Sequence, residues 1–282
     1  MVRHGQTAAR DAVEPPRGGL IAMSTVEIVL VLTTGGIIGL VLGLVGGGGS
    51  ILAVPMLVYV VGTGSTQAAI GTAAVAVAVN AIIGLIGHAR SGTIKWGCAA
   101  VFALAGMVGA AIGAEAGKAF DGQRLLLLFG VLMIGVGLSM LRPRRGLEMP
   151  DVRLTRDSAS ALLPRLISIG FGVGIAAGFF GIGGGFLIVP GLILATAMPL
   201  RMAVGTSLVV VAALGLTTAT SYALSGYIDW MMVALLVLGG LGGAASGIVL
   251  GRRLASRKGL LERIFAGVVI AAGAYVVARG LY

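Results

Sequence analysis

One cysteine and two histidines stand among 282 residues, and only 11% of the residues are charged. Each scarcity excludes something. Cys98 is alone in an apolar stretch, so no internal disulfide can form, and its expected role is packing. His4 and His88 belong to no ligand cluster, so no metal site and no cofactor is expected. The apolar stretches hold no paired acids, histidine cluster or metal ligands, which argues against an intramembrane enzyme. The glycine run from Gly43 to Ser50 lacks the lysine of a phosphate-binding P-loop, and no ATP-binding domain is present. A soluble domain carries about 25% charged residues. This chain has too little polar surface to face water.

What is present is apolar: 57% of residues are hydrophobic and the mean hydropathy is +1.06. The apolar runs are continuous and approach helix length for a bilayer, about 20 residues. They do not alternate as barrel strands do. They fall at 26–45, 51–61, 68–87, 97–117, 125–141, 166–182, 186–197, 203–224, 231–251 and 264–278. The expected fold is therefore all-α, a polytopic integral membrane protein. The net charge of +10 would suggest nucleic acid in a soluble protein. Here the basic residues sit between the spans, in 142–165 and 252–263, as the positive-inside rule requires, so no nucleic acid is expected.

Two stretches nearly coincide. Gly39 to Leu57 reads GLVLGLVGGGGSILAVPML, and Gly174 to Leu192 reads GIAAGFFGIGGGFLIVPGL, at a constant offset of 135. Further on the offset is 134. Ala69, Gly71 and Thr72 recur as Ala203, Gly205 and Thr206, and the loop Ser91–Trp96 recurs as Ser225–Trp230. The chain is an internal duplication. Its expected parts are a disordered extension 1–25, a first membrane repeat 26–141, a cytoplasmic linker 142–165 and a second repeat 166–282. Met23 directly precedes the first span and is an alternative translation start. Five segments per half is an odd number, so equivalent loops should face opposite sides. The charge bias agrees: Arg90 and Lys95 oppose Asp229, and the weakly charged 118–124 opposes the basic 252–263. The expectation is two inverted repeats of five helical segments, about eight full spans plus two short half-helices at the glycine clusters.

Paired, glycine-interrupted apolar segments in two halves point to a transporter binding site. Gly46, Gly48, Gly49 and Ser50 form one cluster and Gly181, Gly183, Gly184 and Gly185 the other. Each glycine costs a helix about 1 kcal/mol relative to alanine. Irregular backbone at membrane depth is tolerated where protein or a water-filled cavity covers it. A broken helix presents N–H groups at the start of the next segment, and those favour an anion. The bland alternative is close packing by small residues. Thr72, Thr206 and Ser207 offer hydroxyls to an oxyanion, or else bond their own helix carbonyls. Asn80 lies mid-span, where interhelical glue and substrate contact compete; by offset its counterpart is Leu214. Pro55 and Pro190 are expected to fix the exits of the short segments. Glu115 and Lys118 are spaced for a helical salt bridge, and His88 has the position of an interfacial histidine.

The run G-x-G-G-G, an apolar stretch and V-P, then A-x-G-T-S, then an S-G-x-I-x-W loop, resembles the sulfite exporter TauE/SafE family of membrane transporters. The second half carries all three motifs; the first departs at Gly47 and at Ala73. The resemblance covers about 26–280. It implies export or uptake of sulfite, sulfoacetate or related organosulfur anions. The expected function is thus secondary transport of a small anion by alternating access, in a cell membrane such as the bacterial inner membrane. The partners are a small anionic substrate and the lipid bilayer. The reading admits coupling to a proton or other ion, and a homo-oligomer. Its rivals are a passive anion channel, an enzyme and a structural membrane subunit.

Overall fold

The computed structural model describes residues 23–45, 47–90, 92–141, 156–181, 185–253 and 258–281. The described residues form helices and connecting turns, with no strand among them. The helices are α1 (Thr25–Val45), α2 (Ala53–Met56), α3 (Thr66–Arg90), α4 (Trp96–Ala119), α5 (Gly122–Leu141), α6 (Arg156–Phe180), α7 (Gly185–Thr196), α8 (Leu200–Leu224), α9 (Trp230–Arg253) and α10 (Lys258–Leu281). A 3-10 turn, Gly47–Leu52, leads into α2, and a π-helical turn, Leu57–Val61, leaves it.

Local chemistry sets the boundaries. The Ser24 hydroxyl accepts the Glu27 N–H at 3.2 Å, and the Glu27 carboxylate accepts the Ser24 N–H at 2.9 Å. This capping box starts α1. Asp121 accepts the Arg124 N–H at 3.0 Å to start α5. The segment 47–61 ends at Gly62, whose φ of 80° is left-handed and terminates the winding. Among the described residues, seven helices are long and apolar enough to cross a membrane, including Thr66–Ile86, Trp96–Ala119 and Met202–Leu224. The protein is therefore an integral, multi-pass membrane protein. The eighth long helix, α10, has 24 residues, but its described apolar part is the shorter Ala266–Leu281.

Pro55 and Pro190 are not at the exits of the short segments. Winding continues past Pro55 to Val61, and Pro190 lies inside α7, which runs on to Thr196. A proline forfeits one N–H···O bond. The helix tolerates that loss here because Val189 and Leu192 on either side are buried in the core.

The duplication matches α1 with α6, α3 with α8, α4 with α9 and α5 with α10. The main pairings run across the halves. Leu32, Gly36 and Leu40 of α1 meet Gly239, Gly243 and Gly247 of α9. Phe102, Gly106 and Ala110 of α4 meet Gly170, Gly174 and Gly178 of α6. In both pairs the numbers rise together, so the helices are parallel. In α3–α8 the numbers oppose each other: Gly71 meets Tyr222, Ala78 meets Gly215 and Gly84 meets Leu208. In α5–α10, Leu127 meets Gly280 and Gly137 meets Ala266. These equivalent helices are antiparallel. The parallel pairs need glycine because backbone touches backbone. A Cβ on Gly39 would strike the Gly240 carbonyl, and one on Gly178 the Ala110 carbonyl. Small residues thus supply the close approach that helix association in lipid depends on.

Candidate functional site

The two glycine motifs meet. The 3-10 turn 47–52 packs on α7. Ile51 and Leu52 share a buried cluster with Phe186, and with Phe129, Met133 and Val269. Phe129 and Met133 are in the middle of α5, and Val269 is in the middle of α10. Both motifs therefore sit halfway along the long helices. Ser50 is fully buried there, and Gly185 is the first residue of α7 and is buried. Gly48 and Gly49 lie within the 3-10 turn, a tighter winding used in short pieces. Gly181 leaves α6 with φ 65°, and a Cβ on it would overlap the Ile70 side chain; only glycine fits. Gly46, Gly183 and Gly184 lie outside the described residues.

The second motif pair does something else. The Thr72 hydroxyl accepts the Asp229 N–H at 3.1 Å. The Thr206 hydroxyl accepts the Lys95 N–H at 3.1 Å. The two bonds are related by the repeat, and each crosses from one half to the other. A Cβ on Gly71 would lie 2.7 Å from the Tyr227 carbonyl, and one on Gly205 would lie 2.5 Å from the Thr93 hydroxyl. The Gly-Thr pair is thus the socket that receives the Ser-Gly-x-Ile-x-Trp loop of the opposite half. The loop turns at Gly92 (φ 65°) or Gly226 (φ 76°). Asp229 completes its own loop by accepting the Met231 and Met232 N–H groups, both at 3.0 Å, an N-cap for α9. Because α3 and α8 are antiparallel, Thr72 and Thr206 stand near opposite ends of that pair. The structure does not bring them together. The Ser207 hydroxyl, also buried, donates to the Val204 carbonyl at 2.8 Å. The periodicity of each half alone carries no signal of this docking, because socket and loop come from different halves.

Asn80 is in the middle of α3 and is 2% exposed. Its amide abuts Gly240 of α9, and its Oδ1 has no hydrogen-bond partner among the described residues. At one end of the α4–α8 contact, Lys118 Nζ donates to Glu115 at 2.7 Å and to the Ser225 hydroxyl at 2.9 Å, and the Ser221 hydroxyl donates to Glu115 at 2.8 Å. Glu115 is thereby an exposed, paired carboxylate. Cys98 is buried in the core. The side chain of His88 lies outside the described residues.

The family model for "Sulfite exporter TauE/SafE" matches residues 31–276. The chain belongs to the TauE/SafE family. A "Probable membrane transporter protein" of Xylella fastidiosa is 46% identical over 257 residues, covering 91% of this chain and 97% of the relative. The "Probable membrane transporter protein YunE" of Bacillus subtilis is 28% identical over 273 residues, covering 91% and 99%. The "Probable membrane transporter protein MJ0441" of Methanocaldococcus jannaschii is 28% identical over 187 residues, covering 64% and 67%. No solved structure gives a significant match. This TauE/SafE chain is a membrane transporter, and the residues matched include both glycine motifs and both sockets.

Proposed function

We propose that this transporter moves a small oxyanion, sulfite or an organosulfonate, by alternating access between two inverted halves. The observation that carries the proposal is the meeting of the two glycine motifs halfway along the long helices. The first N–H groups of a helix lack intrahelical partners, and the helix dipole favours negative charge there. The described membrane-spanning helices put Lys118 near a helix end and no lysine or arginine beside Ser50 or Gly185. Backbone donors must then stabilise the anion.

Magnitudes support a weak site. A charge at the bilayer centre costs at least about 2.5–3.5 kcal/mol. One helix start offsets up to about 2 kcal/mol in a partly buried geometry, and two starts about twice that. Hydrogen bonds to a charged group add about 1.5–3 kcal/mol each. The expected affinity is high micromolar to millimolar, about −4 to −6 kcal/mol. A transporter benefits from that weakness because the substrate must also leave.

Gly46, Gly48, Gly49, Ser50, Gly181, Gly183, Gly184 and Gly185 form the substrate site in this reading, with Asn80 contributed by α3 and Ser207 by α8. Thr72 and Thr206 hold helix starts instead. The antiparallel registers of α3–α8 and α5–α10 support inversion of the halves. Bacterial relatives support a place in the cell membrane. Uptake into proteoliposomes tests the proposal with sulfite, sulfate, sulfoacetate, taurine and acetate, with and without a pH gradient. Saturable flux and counterflow are expected; uptake of an amine in preference to every anion refutes it.

A further inference from the structure

We propose that the oxyanion bound between the two glycine motifs is read by one half only. The specificity-determining group is the Asn80 carboxamide, where α1, α3 and α9 meet, and that group has no working twin in the other half. This rests on the anion-transport reading above.

The structure holds two copies of this three-helix junction. In one, Asn80 of α3 lies against Gly240 of α9, with a Cβ on Gly240 falling 2.7 Å from the amide oxygen. Gly240 in turn abuts Gly39 of α1. In the other, Leu214 of α8 lies against Gly106 of α4, where a Cβ would fall 2.9 Å from the leucine Cδ1. Gly106 in turn abuts Gly174 of α6. The packing is the same, and the polarity is not. Leucine fills the position without difficulty, so packing does not require the amide.

A second buried polar group lies on the same side. The hydroxyl of Thr34, on α1 little more than one turn before Gly39, is fully buried and has no partner among the described residues. Its counterpart at the 135 offset is Ile169. Ser50 of the first motif is likewise matched by Gly185 in the second. At these three matched positions the polar side chain falls on one side only. Of the three, it is Asn80 and Thr34 that carry an atom unpartnered among the described residues; the unpartnered buried hydroxyls on α8, Thr218 and Tyr222, stand at other positions. A buried polar atom without a partner is destabilising, and native proteins rarely retain one without a use. A carboxamide offers two donors and one acceptor. It can donate to a bare oxyanion oxygen and accept from a protonated one. Both occur on a small, weakly acidic oxyanion, which makes that class the fitting occupant.

The test measures sodium sulfite binding by calorimetry, sulfite uptake in liposomes and thermal melting, for wild type, Asn80→Leu and Thr34→Val. Wild type is expected to bind one sulfite per chain. Asn80→Leu, which copies the other half, is expected to keep or raise the melting temperature and to lose about tenfold or more in affinity, the size of one hydrogen bond to a charged group. Thr34→Val is isosteric and should lose affinity in the same direction without unfolding. Wild-type affinity in both variants overturns the inference, as do two equal sites per chain. A lower melting temperature for Asn80→Leu makes Asn80 interhelical glue and overturns it too. In all of these the transport reading stands. Wild-type liposomes that move no sulfite, sulfate or sulfoacetate end that reading and this inference with it.

Discussion

Replacing Thr72 or Thr206 with valine keeps shape and removes only the hydroxyl. Each threonine is buried, and each accepts one N–H at a helix start, Asp229 or Lys95, at 3.1 Å. Loss of an acceptor costs about 0.5–1.5 kcal/mol, rising to about 1–3 kcal/mol if the N–H stays buried and unpaired. Each variant should therefore lose about 1–3 kcal/mol. The two sites are separated by most of the length of α3, whose 25 residues at 1.5 Å each span about 38 Å. Sites that far apart add, so the double variant should lose the sum. Trp96 and Trp230 are the only tryptophans in the chain, and each directly follows the N–H in question. Their fluorescence reports each socket separately once the other tryptophan is changed to phenylalanine. Thr72→Val should perturb the Trp230 signal and Thr206→Val the Trp96 signal, with lower melting temperatures and sulfite affinity retained. Lost affinity at unchanged melting temperature would refute the reasoning and make the hydroxyls substrate ligands. A strongly non-additive double variant would refute their separation.

Four further outcomes are expected. Gly39→Val and Gly178→Val place a side chain against the Gly240 and Ala110 backbones; each should cost about 3 kcal/mol or more and appear as lost monodisperse protein in gel filtration. Gly48→Val should abolish uptake while membrane insertion is retained, and full activity would reduce the glycine motif to packing. With buried Cys98 changed to alanine, cysteines at the exposed Ala89 and Ser225 should be labelled by an impermeant reagent from opposite sides; labelling from one side removes the inversion. Competition assays should show anions displacing sulfite at high micromolar to millimolar levels and neutral isosteres failing to do so.

Much of the fold was legible in the residue order because lipid leaves few choices. A run of about 20 apolar residues must satisfy its own backbone, so it is helical wherever it packs. The duplication marked the glycine motifs and showed that Asn80 had an apolar counterpart. It also showed that the Gly-Thr pair and the Ser-Gly-x-Ile-x-Trp loop repeat, but not that one receives the other. That relation joins Thr72 to Asp229 and Thr206 to Lys95, more than 100 residues apart in sequence, and no local periodicity reports it. The prolines depart from the expected helix exits for a related reason. A missing N–H predicts a helix end only when nothing else holds the helix, and burial of Val189 and Leu192 holds it here. Apolar length and repetition determined which segments are helices and which positions are equivalent. Only the packed structure decided which helices touch, in which direction, that the Thr72 and Thr206 hydroxyls secure helix starts, and that the Asn80 amide oxygen has no partner among the described residues, because partners across a bundle are chosen by shape and not by sequence distance.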